Sequence, residues 1–163
     1  MRSANESATD IRTRLREDHQ SILAELDALR TEEDPRQAPA RLAQLRRAWV
    51  IHALAEETVV YRALESEAAA GTESDARAAE RFVEHELVEG LFDKLARTRC
   101  GSSEWNARLH VARDLVSRHI ETEHEETFSR LAERFGGGEL EEIGRRFESA
   151  RDKLAMLEEA KAA

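Results

Sequence analysis

Four segments of the chain carry stripes of mostly apolar residues at steps of three and four. The first stripe runs from Ile11 to Leu29 in steps of 4, 4, 3, 4 and 3, with one histidine among its members. Residues at these spacings share one face of an α-helix. No segment shows the two-residue alternation of a strand, and the 163 residues include only 7 glycines and 2 prolines. The sequence therefore predicts an all-α fold.

Capping residues divide the chain into five predicted helices. The first begins near Ser7, which has capping-box spacing to Asp10, and Ser103 is the predicted N-cap of the fourth. Gly71 is expected to end the second helix and Thr72 to open the third. The predicted ranges are 7–30, 39–71, 72–100, 103–136 and 139–160. Short connections between the first four favour an up-down-up-down four-helix bundle with an additional C-terminal helix.

The C-terminal helix has its own apolar stripe at coiled-coil spacing. Its members are Leu140, Ile143, Phe147, Ala150, Leu154 and Leu157. Such a stripe can lie along the bundle or pair with a second copy of the chain, so a homodimer through this helix is one expectation. The three glycines at 136–138 predict a hinge before it. The predicted units are a bundle at 7–135 and an amphipathic helix at 139–161, which either joins the same domain or serves dimerisation.

The net charge and the single cysteine argue against several classes of partner and site. The chain has 25 Lys and Arg against 34 Asp and Glu, a net charge of −9, which disfavours nucleic acid and anionic membranes as partners. Cys100 is the single cysteine, so neither an internal disulfide nor a thiolate metal site is expected. The N-terminus lacks the apolar core of a signal peptide and no run of 18 apolar residues occurs, which predicts a cytoplasmic location.

Each of the four stripes contains a histidine where leucine or isoleucine is expected. The first has His19, and the other three repeat the pattern His-x-x-x-Glu. The three pairs are His52 with Glu56, His85 with Glu89, and His119 with Glu123. Residues four apart lie one above the other on a helix face, so each pair can approach one ion. All four histidines lie about three to four turns into their predicted helices, so an antiparallel bundle would bring them to one level.

Burial of three carboxylates without partners would cost several kcal/mol each, and mutual repulsion would add to this. No Lys or Arg occupies the stripes, whereas a pair of metal cations would offset the charge directly. Imidazole with carboxylate suits iron, manganese or zinc. Seven candidate ligands exceed the needs of one four-coordinate zinc and favour two metals. The alternative is that the histidines are ordinary core residues and the chain is a metal-free helical interaction protein.

These residues, in this order and spacing, resemble the hemerythrin-like HHE cation-binding domain. The resemblance rests on Asp18-His19-Gln20, His52-x-x-x-Glu56-Glu57, Glu84-His85-Glu86 and His119-Ile120-x-x-Glu123, and it covers roughly residues 10 to 135. It implies a four-helix bundle around a non-haem di-iron site, while the donor set itself leaves zinc or manganese as alternatives. By the resemblance, His19 and His52 would serve one iron. His85 and His119, with Glu89 as a further candidate, would serve the other, and Glu56 and Glu123 would bridge them.

The chain departs from the oxygen-carrying members of that family at two positions. They have histidine where this chain has Glu89, and an aspartate one residue later than Glu123. Replacement of imidazole by carboxylate makes the site more electron-rich, so reversible oxygen carriage is not expected. The resemblance implies reaction with oxygen, peroxide or nitric oxide in stress defence or iron handling, with a small oxidant or gas as the partner. A non-catalytic metal or gas sensor or store is the alternative.

Three residues near the candidate ligands have two interpretations each. His124 is either a residue at the core boundary or a proton relay to the site. Glu57 either contacts a ligand or is exposed. Tyr61 either borders the site or packs at the edge of the core.

Overall fold

The computed structural model describes residues 9–65 and 73–162, and all regular structure within them is helical. The prediction of an all-α fold is confirmed for this part of the chain. The elements are α1 (Ile11–Arg30), α2 (Ala38–Ala55), π1 (Glu56–Tyr61), α3 (Arg62–Glu65), α4 (Glu73–Ala96), α5 (Ser103–Thr122), π2 (Glu123–Thr127), α6 (Phe128–Arg134) and α7 (Gly137–Ala162). No helix among them is long and apolar enough to cross a bilayer.

Two pairs of α-helices are joined through π-helical segments without a break. The elements α2, π1 and α3 form one continuous rod, and α5, π2 and α6 form another. Together with α1, α4 and α7 they make five helical rods in the described residues, the number that the sequence predicts. The π-helical segments themselves are not predicted by the sequence stripes, which assume uniform α-helix.

The helix starts differ from the predictions by a few residues. Asp10 is the N-cap of α1, with its carboxylate accepting a hydrogen bond from the Arg12 amide at 2.8 Å. Ser102, not Ser103, caps α5, because Ser102 has the extended backbone of an N-cap and its hydroxyl accepts from the Trp105 amide at 3.1 Å. The predicted cap Ser7 and the boundary residues 71 and 72 lie outside the described residues.

The predicted glycine hinge is replaced by a helix start. Gly137 and Gly138 lie in the first turn of α7, so this helix begins two residues earlier than predicted. The Gly136 carbonyl accepts from the amides of Glu139 and Leu140, and the Glu139 carboxylate accepts from the Gly136 amide at 2.9 Å. These hydrogen bonds satisfy backbone amide and carbonyl groups that would be hydrated in a flexible hinge.

Helix contacts define a closed ring of four rods with α7 on its outside. The helix α1 contacts α2 and α5, and α4 contacts the same two helices. The helix α7 packs against α1, α2 and π1. Its stripe is buried at Leu140, Ile143 and Phe147, whereas Leu157 near its end is 58% exposed. The bundle therefore already covers the first half of the predicted coiled-coil stripe.

The apolar core is divided into two clusters. One includes Ile22, Leu26, Leu42, Trp49, Val88, Phe92, Leu109 and Val116, and the other includes Ile11, Leu15, Val59, Val60, Leu64, Phe128, Leu131 and Phe147. On α1 and on the α2–π1–α3 rod, the stripe histidine falls between residues of the first cluster and residues of the second. His19, for example, lies between Leu15 and Ile22. On α4 the stripe histidine lies between Val88 of the first cluster and Phe82, which packs against the second. On the α5–π2–α6 rod, His119 lies near the end of the first cluster, before the second begins at Phe128. A buried polar layer therefore separates the two apolar clusters.

A close approach between α7 and the start of α1 requires glycine at position 144. A Cβ atom there would collide with the Thr9 carbonyl oxygen and lie 3.3 Å from the Ile11 amide nitrogen. Because both neighbours are backbone, Gly144→Ala is expected to lower the free energy of unfolding by about 1–3 kcal/mol, measured by urea denaturation. Gly138→Ala is the control, since its Cβ meets nothing within 4 Å, and it should be neutral or stabilising. Equal effects of the two variants would contradict the contact.

Candidate metal centre

Six buried side chains from the four rods of the ring meet in the polar layer. They are His19, His52, Glu56, His85, His119 and Glu123. Each rod contributes one histidine, and the rods α2–π1–α3 and α5–π2–α6 each add a glutamate at the first residue of the π-helical segment. The structure thus brings together six of the seven residues that the sequence singles out.

These six side chains form two groups of potential ligand atoms. The first contains His19, His52, Glu56 and Glu123, and the second contains Glu56, His85 and His119. Within each group the nitrogen and oxygen atoms all lie within 4.8 Å of one another. Glu56 belongs to both groups and so connects them.

The carboxylate of Glu56 lies between histidines from opposite sides of the layer. Its Oε1 lies 3.2 Å from His52 Nε2 and 3.6 Å from His19 Nε2, and its Oε2 lies 3.4 Å from His85 Nε2. Glu123 is placed less symmetrically, since its Oε2 is 3.1 Å from His19 Nε2 and 3.9 Å from His119 Nε2. One carboxylate therefore faces both groups, and the other faces mainly the first.

Every histidine of the layer turns Nε2 inwards and bonds a neighbouring side chain through Nδ1. The pairs are His19 with His124 at 3.0 Å, His52 with Asp18 at 3.4 Å, His85 with Glu57 at 2.8 Å and His119 with Glu84 at 2.9 Å. Such outer partners fix the ring orientation and leave the inward nitrogen free to bind a metal. His124 and Glu57 therefore contact the candidate ligands directly.

Asp18 and Glu84 are partners that the sequence analysis does not single out in this role. Each directly precedes a stripe histidine, and each bonds the histidine of a neighbouring rod rather than its own. The sequence signal was an acidic residue one position before His19 and before His85. Consecutive helix residues point about 100° apart, so such an acid faces the adjacent helix.

Tyr61 and Trp49 border the layer. The Tyr61 hydroxyl donates a hydrogen bond to Glu56 Oε2 at 3.2 Å, and its ring stacks on that of His85 with centroids 6.0 Å apart. Burial, with the nearby carboxylates of Glu123 and Glu56, raises the pKa of Tyr61 well above its usual value. Trp49 lies within 6 Å of the rings of three layer histidines, namely His52, His85 and His119. Tyr61 therefore borders the site rather than the edge of the core.

Electrostatics in the layer favour charged imidazoles opposite charged carboxylates when no cation is bound. Burial lowers the pKa of His19, but the facing carboxylates of Glu123 and Glu56 outweigh it and raise that pKa to about 9. His85 likewise reaches a pKa of about 9, because Glu56 and Glu57 outweigh its burial. Burial raises the pKa of Glu56, but the surrounding histidines hold it well below the usual range. The layer can therefore accept either protons or metal cations.

Several buried atoms of the layer face an opposite charge but make no well-directed hydrogen bond. Among the described residues, five such atoms belong to the first group: His19 Nε2, His52 Nε2, Glu56 Oε1 and both Glu123 oxygens. Unsatisfied buried acceptors are costly and rare, and imidazole nitrogens with carboxylate oxygens are the donor set of iron, manganese and zinc. The residues present therefore fit a metal site.

Glu89, the seventh predicted ligand, lies outside both groups. Its side chain is 45% exposed and its carboxylate lies 3.8 Å from the Arg46 guanidinium of α2. A step of four residues advances an α-helix by about 40° beyond a full turn. On α4 this rotation carries Glu89 away from the layer, and the buried position after His85 is Val88, three residues on, which belongs to the first apolar cluster. Glu89 is not part of the centre that the structure assembles.

Both π-helical segments begin at a glutamate of the layer, Glu56 in one and Glu123 in the other. Short π-helical segments inside α-helices are frequently found at functional sites. Buried positions continue in steps of four after each histidine, at Glu56, Val60 and Leu64 and at Glu123, Thr127 and Leu131. In a uniform α-helix three such steps would drift by about 120°. The wider π-helical turn absorbs this drift, so the repeated step of four was the sequence signal for it.

Metal binding to the layer is expected to release protons at neutral pH. His19 and His85 have a pKa of about 9 in the metal-free protein, so both are protonated at pH 7 and must lose a proton to bind a metal. Zinc affinity should therefore fall as pH falls below 9. Isothermal titration calorimetry with zinc in buffers of different ionisation enthalpy measures the proton count. His110→Ala, at an exposed residue paired with Asp114, should leave it unchanged, and binding without proton release would contradict the charge assignment.

Comparison with known proteins agrees with this site. The family model described as the hemerythrin HHE cation-binding domain matches residues 10–131, which is most of the chain and includes all six side chains of the layer. No curated protein and no solved structure gives a significant match. Domains of this family bind metal cations, and the buried histidine and glutamate groups are compatible with that property. The chain belongs to the hemerythrin HHE cation-binding domain family.

Proposed function

We propose that the polar layer holds two iron ions. The observation that carries this proposal is the pair of ligand groups that share Glu56. His19, His52 and Glu123 would hold one ion, His85 and His119 would hold the other, and Glu56 would contact both. The contribution of Glu123 would be mainly to the first ion, since it lies farther from His119 than from His19. Mixed imidazole and carboxylate donors favour iron or manganese over a four-coordinate structural zinc.

An up-down-up-down order of the four ring helices belongs to this proposal. Its support is the ring of contacts, in which each helix touches those next to it in sequence and α1 touches α5. In that order the mid-helix histidines of all four rods reach one level, which is the arrangement that carboxylate di-metal bundles use.

We further propose that the centre reacts with oxygen, peroxide or nitric oxide. When bound, a pair of irons supplies one-electron and two-electron redox chemistry and a binding position for a small molecule. Among the described residues the second group has three candidate ligands, and His85 from it lines a cavity of about 330 Å³ between α2 and α4. Trp49, Phe82 and Glu57 also line that cavity. A small oxidant could therefore reach this side of the centre.

The protein side chains would control protons around the bound oxidant. The Tyr61 hydroxyl oxygen lies 3.2 Å from Glu56 Oε2 and donates a hydrogen bond to it, and burial keeps the proton on the phenol. Glu57 accepts a hydrogen bond from His85 Nδ1 and lines the cavity, so it can exchange protons with a molecule there. Trp49 covers three of the histidines and limits the access of water.

A metal or gas sensor is the second candidate function. The observation in its favour is that α7 reaches the layer, since the Phe147 ring lies 6.4 Å from that of His52. A metal-free interaction protein is disfavoured by the five buried atoms of the first group that make no hydrogen bond. A homodimer through α7 would have to use its exposed end, where Met156 and Leu157 lie.

Elemental analysis of untagged protein, with an optical spectrum of the same sample, tests the proposal. We expect about two irons per chain, as in carboxylate di-iron bundles, with absorption from iron ligands in the near ultraviolet. Oxygen evolution from peroxide and the loss of nitric oxide, each compared with free iron, then separate the enzyme from the sensor. Folded protein that takes up no metal would contradict the proposed centre, and two zincs that iron cannot displace would contradict the redox function.

A further inference from the structure

The C-terminal helix α7 lies outside the part of the chain that the family model matches, yet it contacts the candidate ligand His52 and its outer partner Asp18. The family match ends at residue 131, and α7 covers Gly137–Ala162. Phe147 is fully buried and its ring meets that of His52 edge-on, at 81° and 6.4 Å. Arg151, one turn further along, binds Asp18 of α1 with Nη1 2.9 Å from Oδ1.

Asp18 connects this arginine to a candidate ligand. Its carboxylate has Oδ1 on Arg151 and Oδ2 3.4 Å from His52 Nδ1, and the residue is buried. A carboxylate with a partner on each oxygen has its plane fixed by both. The orientation of that plane sets the direction of the His52 ring, because an outer carboxylate orients a ligating imidazole through Nδ1.

We propose that Arg151 is a positioning residue for His52, acting through Asp18, so that docking of α7 and retention of metal depend on each other. The helix then serves as part of the outer support of the metal centre as well as a cover for the apolar core. The coupling is reciprocal, since a metal that holds His52 in place also holds the side chain to which α7 is bound. This inference rests on the proposed metal centre but not on its reaction with oxidants.

A second arginine provides a matched control. Arg47 of α2 also binds α7, through the Ala155 carbonyl at 2.9 Å and the Glu159 carboxylate at 2.8 Å. Its side chain is 39% exposed and that of Arg151 is 40% exposed. Neither contact of Arg47 involves a partner of a layer histidine. A general loosening of α7 would therefore follow from either substitution, whereas loss of His52 orientation would follow only from that of Arg151.

The test measures the rate at which metal-loaded protein releases metal to a chelator. The protein is first loaded with cobalt or iron, and its metal content is confirmed. We expect Arg151→Gln to speed release from the loaded protein by about tenfold or more, as outer-partner substitutions commonly do. Arg151→Lys should restore much of the retention because it keeps a cation near Asp18. Arg47→Gln should stay within about twofold of wild type. Asp18→Asn cuts the connection at the other end and should match Arg151→Gln.

Hydrogen exchange of the α7 amides provides a second readout. Metal loading should slow exchange around residues 143–155 in the wild type and in Arg47→Gln, and much less so in Arg151→Gln. Equal release from Arg151→Gln and wild type, or equally fast release from Arg47→Gln, would overturn the inference. Wild-type protein that holds no metal would instead overturn the proposed centre, so the two failures are distinguishable. Circular dichroism of each variant confirms that it is folded.

Discussion

The substitution Glu56→Gln is expected to abolish metal retention at both halves of the centre. Glu56 is the residue that the two ligand groups share among the described side chains, and it lies within 3.6 Å of Nε2 of His19, His52 and His85. Glutamine keeps the shape but removes the charge that would face two cations. Residues that merely contact a ligand change metal affinity by about 10–100-fold, so loss of the shared carboxylate should exceed about 100-fold. Elemental analysis after dialysis measures the effect.

Glu89→Gln is the matched control for this prediction. Glu89 also follows a stripe histidine by four residues, but its carboxylate faces Arg46 on the surface. The variant should keep the wild-type metal content, because Glu89 lies outside both ligand groups and its ion pair with Arg46 is solvent-exposed and of small energetic weight. Its side chain also lines the cavity beside His85, so this control applies to metal content and not to reactivity. Loss of metal from Glu89→Gln, with retention in Glu56→Gln, would contradict the ligand groups described above.

Removal of metal is expected to lower the thermal stability of the protein strongly. A ligand that binds only the folded state stabilises it by about 4 kcal/mol when its free concentration is about 1,000 times its dissociation constant. For a chain of this length each kcal/mol corresponds to roughly 2–4 °C, so a chelator should lower Tm by roughly 8–16 °C. Scanning calorimetry at pH 7, before and after treatment with a strong chelator, measures the shift.

The variant Glu56→Gln serves again as the control, because a chelator can remove nothing from a protein that retains no metal. Its Tm should be the same with and without chelator. A loaded wild-type protein whose Tm did not respond to metal removal would show that the ions bind outside the folded core. The prediction therefore depends on the burial of the layer as well as on its affinity.

The sequence was sufficient for the fold class and for most of the layer. The stripe histidines replace leucine or isoleucine at positions that must face the core, so their burial follows from helical periodicity alone. Convergence of His19, His52, His85 and His119 follows from their similar depth in four helices. The division of the chain into units at 7–135 and 139–161 stays a prediction, as does the ligand role of each residue in the layer.

Details that depend on helix rotation could not be read from the stripes. Three His-x-x-x-Glu pairs look equivalent in sequence, yet only Glu56 and Glu123 face the layer, and Glu89 turns outwards. A glutamate four residues after a histidine is rotated about 40° around the helix from it. Whether this rotation turns the glutamate towards the bundle axis or away from it depends on the direction in which the histidine itself points. The partners Asp18 and Glu84 were missed for the same reason, because each bonds a histidine on another helix.

The polar layer between the two apolar clusters has a consequence for how the molecule unfolds. The first cluster draws buried side chains from all four ring rods, whereas the second draws them from three rods and α7, with Phe82 of α4 packed against it. The buried histidines and glutamates of the layer lie between the two clusters. With metal bound, coordination ties the two ends into one cooperative unit. Without it, ion pairs between the layer imidazoles and carboxylates replace coordination as the connection, and each end can open at its own free energy. The bound ion would thus determine whether the protein unfolds in one cooperative step. The calorimetric and van't Hoff enthalpies of unfolding should then agree for the metal-loaded protein and differ for the metal-free protein.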